Sequence, residues 1–211
     1  MKIALINGSP KVKKSASEAF LLSVKNLLPK EHEMMEYHFM TPVLSTNDLE
    51  QIAESDVLVF AFPLYVDGLP SQLIHCIHQM ETYLKTIPSR KITAYALVNC
   101  GFYEGHQCAI AMDIMKNWCV KSKVNWGQGL GIGGGGMLQS LANVPDGKGP
   151  KKNFSKGIKA ITNSIVARIT AEDLFISPNF PRIAYKIGAE MGWRSQIKVN
   201  GLNPKDLFKQ I

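Results

Sequence analysis

Apolar positions along the chain follow two periods, one close to strand spacing and one close to helix spacing. Ile3 to Ile6 is an unbroken apolar run with a β-branched residue at each end, the pattern of a strand buried on both faces of a sheet. Ala16, Phe20, Val24 and Leu27 then recur at helical spacing, with Ala19 and Leu28 on the same side, and Pro29 stops the helix. Glu33 to Phe39 predicts a second strand and Asp48 to Ser55 a short helix. Asp56 to Phe62 (DVLVFAF) has no polar residue after Asp56 and predicts a central strand. Pro70 suits a first helical turn, Leu73, Ile77, Met80 and Leu84 mark the helix face that follows, and Pro88 ends it. Lys91 to Val98 predicts a fourth strand, about Gln107 to Val120 a largely apolar helix, and Val124 to Gln128 a fifth strand. A glycine-rich stretch, Gly129 to Gly136, comes next, then a loop over Leu138 to Lys152. Ile158, Ile161, Ile165 and Ile169 carry the last helix of the core.

Strict alternation of strand and helix implies an α/β fold, a doubly wound five-stranded parallel sheet with helices on both faces and right-handed crossovers. The pattern changes at Ser177, which sets expected boundaries of 1–176 for the α/β domain and 177–211 for a basic helical C-terminal extension. That extension predicts a helix, a break at Asn200-Gly201 and a short tail, and its six basic residues against two acidic ones give it a charge of +4. Basic amphipathic helices lie on membranes or dock into partners. Here Gly188 and Gly192 interrupt the apolar face, which favours packing on the same domain or on a second subunit.

Composition narrows the function classes. The 211 residues are 45% hydrophobic and 19% charged, which suits a globular core and not a disordered chain. A net charge of +7 permits anionic ligands, but no zinc finger, arginine-rich run or aromatic RNA-binding signature supports a nucleic-acid role. Cys76, Cys100, Cys108 and Cys119 form no CxxC pair, so neither a zinc knuckle nor a dithiol motif is expected. Buried thiols in a reducing, cytoplasmic compartment are the simplest expectation. Met1-Lys2 runs directly into a strand, so no signal peptide is expected, and no apolar run reaches the roughly 20 residues that span a bilayer.

Candidate chemistry sits in three loops that a parallel sheet places at the carboxyl ends of its strands, where ligands of such folds bind. Asn7 to Ser17 (NGSPKVKKSAS) is small-residued, rich in hydroxyls and lysines, and opens a helix whose first amides lack partners. Taken alone it is either a phosphate cradle or an ordinary turn whose serines cap a helix. Pro63 to Pro70 and Asn99 to Gly105 each combine an aromatic residue with glycine and polar groups, which suits a flat heteroaromatic ring. Three complementary loops at one edge favour the ligand reading. Tyr65 also fits a half-buried loop aromatic, Cys100 a small loop residue, and Glu104 a helix cap. His75, His78 and His106 have no ligand-like spacing, and Gly129-x-Gly131-x-Gly133 lacks the spacing of a dinucleotide fingerprint.

The stretches NGSPK with Ser15-Ala16-Ser17, FAFPLYVDGLPSQL and NCGFYEGHQ resemble the flavodoxin-like NAD(P)H-dependent FMN oxidoreductase family. The resemblance covers about Met1 to Ile169, and PLYVDGLP is its most specific part. It implies that Ser9, Lys11, Ser15, Ala16 and Ser17 surround an FMN phosphate. It implies that Pro63, Leu64, Tyr65 and Val66 lie along the isoalloxazine ring, with Asp67 and Gly68 shaping the loop. Asn99, Cys100, Gly101, Phe102 and Glu104 would contact the pyrimidine side of the ring. Ala16 stands where many relatives have Asn, so one side-chain contact is missing, and Lys13 or Lys14 can compensate. The implied activity is hydride transfer from NADPH or NADH to FMN, then electron transfer to a small-molecule or redox-protein acceptor, with no side-chain acid or base. The implied assembly is a homodimer or higher. Alternatives are a flavodoxin-type electron carrier, though such carriers are acidic, and an interaction protein that has lost flavin.

Overall fold

The structure, a computed structural model, describes residues 1–141 and 143–209. Ala142 of the predicted loop and Gln210 and Ile211 of the predicted extension lie outside the described residues. Strands β1 (Lys2–Asn7), β2 (Glu33–His38), β3 (Val57–Pro63), β4 (Thr93–Asn99), β5 (Asn125–Ile132) and β6 (Leu174–Ile176) form one sheet in the order β2-β1-β3-β4-β5-β6. All pairings are parallel. Between them run α1 (Ala16–Lys25), α2 (Thr46–Ala53), α3 (Ser71–Leu84), α4 (Ala109–Ser122), α5 (Gly135–Ser140) and α6 (Lys152–Ala167).

The period of two in β3 divides the core. Leu58, Phe60 and Phe62 face a layer with Ile52 of α2, Leu73 and Met80 of α3, and Met112 and Trp118 of α4. Val57, Val59 and Ala61 face the other layer, with Phe20 and Val24 of α1 and Phe154, Ile158 and Ile161 of α6. Each fully buried side chain of this size contributes about 1.5–3 kcal/mol. Phe60 meets Trp118 edge to face with ring centroids 5.6 Å apart, and the Trp118 Nε1–H donates to the Ile77 carbonyl at 2.7 Å.

The sheet has six strands, not the five expected. β6 is three residues long, too short to stand out as an apolar run, and pairs only with the end of β5. β5 itself runs on to Ile132 through Gly129 and Gly131, where a connecting stretch was expected. Glycine is needed there because neighbours come close: a Cβ on Gly131 would lie 2.6 Å from the Gly105 carbonyl oxygen and 2.7 Å from the Phe175 ring. Residues 135–140, mostly expected as loop, form α5.

Helix faces also shift. Ser15 caps α1, and the buried face is Ser17, Phe20, Leu21 and Val24. Ala19 is exposed and Leu27, beyond the helix end, is half exposed. In α6, Ile158, Ile161 and Ile165 are buried, but Arg168 ends the helix in the left-handed conformation and Ile169 lies outside it. The chain divides into two compact units, Met1–Pro178 and Asn179 onward. The second holds α7 (Arg182–Val199), none of whose residues is buried, and a 3₁₀ turn capped by Asn203. Among the described residues no helix is long and apolar enough to cross a membrane.

A bulge in β5 gives a direct test of this packing. Ala94 pairs with Trp126 and Tyr95 with Gln128, so Gly127 is the extra residue. A Cβ on Gly127 would lie 2.4 Å from the Tyr95 ring, and that ring is held by hydrogen bonds from its hydroxyl to the carbonyls of Ser164 (2.8 Å) and Ile169 (3.0 Å). Gly127→Ala is expected to destabilise the fold by about 1–3 kcal/mol. Urea unfolding measures this, and an unchanged midpoint would contradict the packing described.

Candidate functional site

In an open parallel sheet the ligand crevice opens where the strand order reverses, here between β1 and β3. The loops after β1, β3 and β4 all leave this carboxyl edge, and side chains and amides tie them to one another. Ser17 Oγ donates to Asn99 Oδ1 at 3.1 Å, joining the first loop's helix to the end of β4. The Leu64 amide donates to the Asn99 carbonyl at 2.8 Å, joining the loop after β3 to the same residue. Asn99 therefore ties the start of α1 and the loop after β3 to the end of β4.

The first loop is tightly organised up to Ser9. The Gly8 amide extends the ladder to the Ala61 carbonyl at 2.8 Å. The Ser9 amide donates to Asn7 Oδ1 at 3.0 Å, and Asn7 Nδ2 reaches Ser15 Oγ at 3.4 Å. The Lys11 amide donates to Ser9 Oγ at 3.3 Å. Ser9, Ser15 and Ser17 are buried, while Lys11, Lys13 and Lys14 are exposed. Ser15 Oγ accepts from the Glu18 amide at 3.0 Å, so it is a helix cap, and its hydroxyl hydrogen can still reach a ligand. The amides of Ala16 and Ser17 are first-turn donors with no acceptor inside the helix. Serine hydroxyls and two first-turn amides, with exposed lysines at Lys11 and Lys13, form a donor set that fits a phosphate dianion.

The second loop holds backbone strain. Tyr65 and Gly68 exchange amide-to-carbonyl hydrogen bonds, both 3.0 Å, around Val66 (φ 48°) and Asp67 (φ 59°). Positive φ at both central residues is what a two-residue type I′ turn requires, and Asn-Gly is its usual sequence. A β-branched valine there is an outlier. The Val66 side chain stands fully in solvent, and Tyr65 is 46% exposed, leaving a ring face free for contact. Pro63 and Leu64 are half-buried behind them.

The third loop differs from expectation in what it offers. Asn99 is buried, and the Cys100 amide already donates to the Ile132 carbonyl at 3.0 Å. The Cys100 side chain turns into the core beside Cys108. The neighbouring Cys108 thiol holds the Cys100 thiol below its ordinary pKa, and the Cys100 thiol together with burial pushes Cys108 up, while Cys108 Sγ lies 3.3 Å from the Val98 carbonyl to which it donates. Gly101 and Phe102 are exposed at the edge. Glu104 holds the N-cap position of the 3₁₀ turn Gly105–Cys108 and accepts the Gln107 amide at its carbonyl (3.3 Å), with no side-chain cap hydrogen bond. The loop is fastened from behind by the glycine run, with the Gly134 amide on the Phe102 carbonyl (2.6 Å) and the Gly135 amide on the Cys100 carbonyl (2.9 Å).

Three contributors escaped the sequence reading. Asn7 orders the first loop, His38 Nε2 lies 2.8 Å from the Ser9 carbonyl oxygen, and Gln72 Nε2 donates to the Gly8 carbonyl at 3.1 Å. Asn7 at a strand end was a visible signal; a histidine closing a strand and a glutamine opening a helix carry none. Among the described residues no group of three His, Cys, Asp or Glu could hold a metal ion.

Neither a protein-family model nor a curated protein sequence matches the chain. Solved structures do. An FMN-dependent NADH-azoreductase from Bacillus anthracis str. Ames Ancestor, in complex with FMN, matches at a TM-score of 0.53 and 14% identity, over 79% of this chain and 100% of that one. An NADPH-quinone reductase from P. pentosaceus matches at 0.54 and 15%, over 77% of this chain and 96% of that one. A flavodoxin from Streptococcus pneumonia TIGR4 matches at 0.52 and 10%, over 80% of this chain and 100% of that one. At these identities the likeness is one of fold, and the fold is flavodoxin-like.

The strained turn is directly testable. A left-handed conformation costs a non-glycine residue about 1–2 kcal/mol, and asparagine tolerates it better than valine. Val66→Asn is expected to stabilise the protein by about 1 kcal/mol in urea unfolding. A loss of stability would show that Val66 makes a compensating contact.

Proposed function

We propose that this chain is an FMN-dependent oxidoreductase that takes hydride from NADPH or NADH and passes electrons to a small-molecule or redox-protein acceptor. The observation that carries the reading is the convergence of three hydrogen-bonded loops at the β1/β3 switch point, with phosphate donors at one end and exposed aromatic surface at the other. The fold shared with an azoreductase and a quinone reductase supports it.

Bound flavin would supply the two-electron chemistry. The chain's own residues have the tasks of binding and orientation. Ser9, Ser15 and the amides of Ala16 and Ser17 hold the phosphate, with Lys11 adding charge. The hydroxyl hydrogen of Ser17 is engaged by Asn99, so its side chain must turn to reach a phosphate, and its amide is the readier donor. Pro63, Leu64 and Tyr65 support the ring plane. The amides of Val66 and Asp67, at the tip of an exposed turn, suit the ring's edge atoms. Asn99, Cys100, Gly101, Phe102 and Glu104 form the opposite wall, with Asn99 positioning through its carbonyl and side chain. The reading needs no side chain to move a proton. The acceptor, a compartment in the cytoplasm, and assembly into a homodimer or higher belong to the same proposal, as do the domain limits 1–176 and 177–211.

A second reading, an electron carrier without its own NAD(P)H activity, is favoured by the likeness to a flavodoxin. Anaerobic mixing of the FMN-loaded protein with NADPH or NADH separates the two. Bleaching of the flavin's visible absorbance with either nucleotide is expected, and no bleaching with both leaves the carrier.

The phosphate assignment has its own test. Replacing Ser15 and Ser17 together by Ala is expected to weaken FMN binding by about 1–3 kcal/mol if each donates to the charged phosphate. Binding of riboflavin, which lacks the phosphate, should change little. Equal losses for both flavins in a fluorescence titration would leave Ser15 as the helix cap and Ser17 as the partner of Asn99 alone.

A further inference from the structure

The first loop reaches the crevice as a bare turn, and a bare turn carries a hazard for an anion site. Its carbonyl oxygens are as negative as its amides are positive, so a phosphate is held only where the carbonyls point away. Two side chains from outside the loop do that. His38 closes β2, where it pairs with Asn7, and its Nε2 lies 2.8 Å from the Ser9 carbonyl oxygen. A carbonyl only accepts, so the Nε2 carries the hydrogen. Gln72 lies in the first turn of α3, is 9% exposed, and its Nε2 donates to the Gly8 carbonyl at 3.1 Å. The two successive carbonyls are thus bonded to donors on two different elements, β2 and α3.

Packing makes this a clamp. Gly8 sits so close to α3 that a Cβ would meet Leu73 Cδ2 at 2.7 Å, which fixes the turn against the helix carrying Gln72. On the other side, the Phe39 amide donates to the Asn7 carbonyl at 2.9 Å, which fixes β1 against the strand carrying His38. The Ser9 amide is bonded to Asn7 Oδ1 and its hydroxyl accepts from Lys11, so Ser9 is oriented through its amide, side chain and carbonyl alike.

Resting on the flavin reading above, we infer that His38 and Gln72 are positioning residues for the cofactor phosphate: they hold the Ser9 and Gly8 carbonyls so that the loop presents donors and not acceptors to the anion. Neither side chain need touch the ligand. A residue that merely stabilised the fold would affect every flavin alike, whereas a residue that orients the phosphate loop affects only the flavin that has a phosphate.

Fluorescence titration of the full chain with FMN and with riboflavin tests this. His38→Ala is expected to raise the FMN dissociation constant about tenfold, the equivalent of about 1.4 kcal/mol, while that of riboflavin changes less than about twofold. His38→Gln, which restores a donor, is expected to recover most of the loss. If His38→Ala fails to fold, as thermal unfolding would reveal, Gln72→Leu is expected to give the same selective loss. FMN binding unchanged in the variants, or lost equally with riboflavin, overturns the inference while leaving the flavin reading intact. A wild-type protein that binds neither flavin overturns the flavin reading, and the inference with it.

Discussion

Asn99 is the residue through which the candidate site holds together. It ends β4, and its carbonyl accepts the Leu64 amide while its side chain accepts from Ser17. Its neighbour Cys100 accepts from Gly135 in the glycine run after β5. Asn99 therefore links the loop after β3 and the start of α1, and Cys100 beside it links the chain beyond β5. A buried amide side chain is stable only when it is hydrogen-bonded, so the loops and Asn99 require each other. The parallel sheet brings their starting points to one edge, and Asn99 fixes their spacing.

Much of this was legible in the sequence because the central strands are apolar on both faces. β1 and β3 stand out as apolar runs, β4 as a largely apolar one, and the helices between them carry apolar faces ended by Pro29 and Pro88. The edges of the sheet were harder. β6 has three residues and owes its place to β5, whose glycines look like a linker in sequence but let Gly105 and Phe175 approach in space. The expected face of α1 holds at Ala16, Phe20, Val24 and Leu28 but omits Ser17, which faces inward to Asn99 through a tertiary hydrogen bond that no periodicity announces. The site was legible as loop composition, while its internal wiring was not. The engagement of the Cys100 amide, and of the Gly8 and Ser9 carbonyls by Gln72 and His38, depends on groups far away in sequence.

The arrangement separates two kinds of work. The first loop is braced by side chains from β1, β2 and α3, which suits recognition of a small charged group whose donors must not move. The turn at Val66 and Asp67 is exposed and strained, and carries an aromatic at its edge, which suits contact with a flat ring and with whatever reacts on it. Two successive non-glycine residues in the left-handed region, Val66 and Asp67, at an exposed turn fit a site under functional constraint. The second unit, with a basic α7 that has no buried residue, adds surface that the proposed chemistry does not need.

The central claim is that a flavin phosphate sits at the start of α1 with its ring against the loops after β3 and β4. Amide chemical shifts of isotope-labelled protein during an FMN titration test it most directly. The account predicts the largest shifts at Ala16, Ser17, Tyr65, Val66 and Asp67, with the Ala16 and Ser17 shifts absent when riboflavin replaces FMN. Shifts centred elsewhere on the molecule, or identical shifts at Ala16 and Ser17 with both flavins, would contradict it.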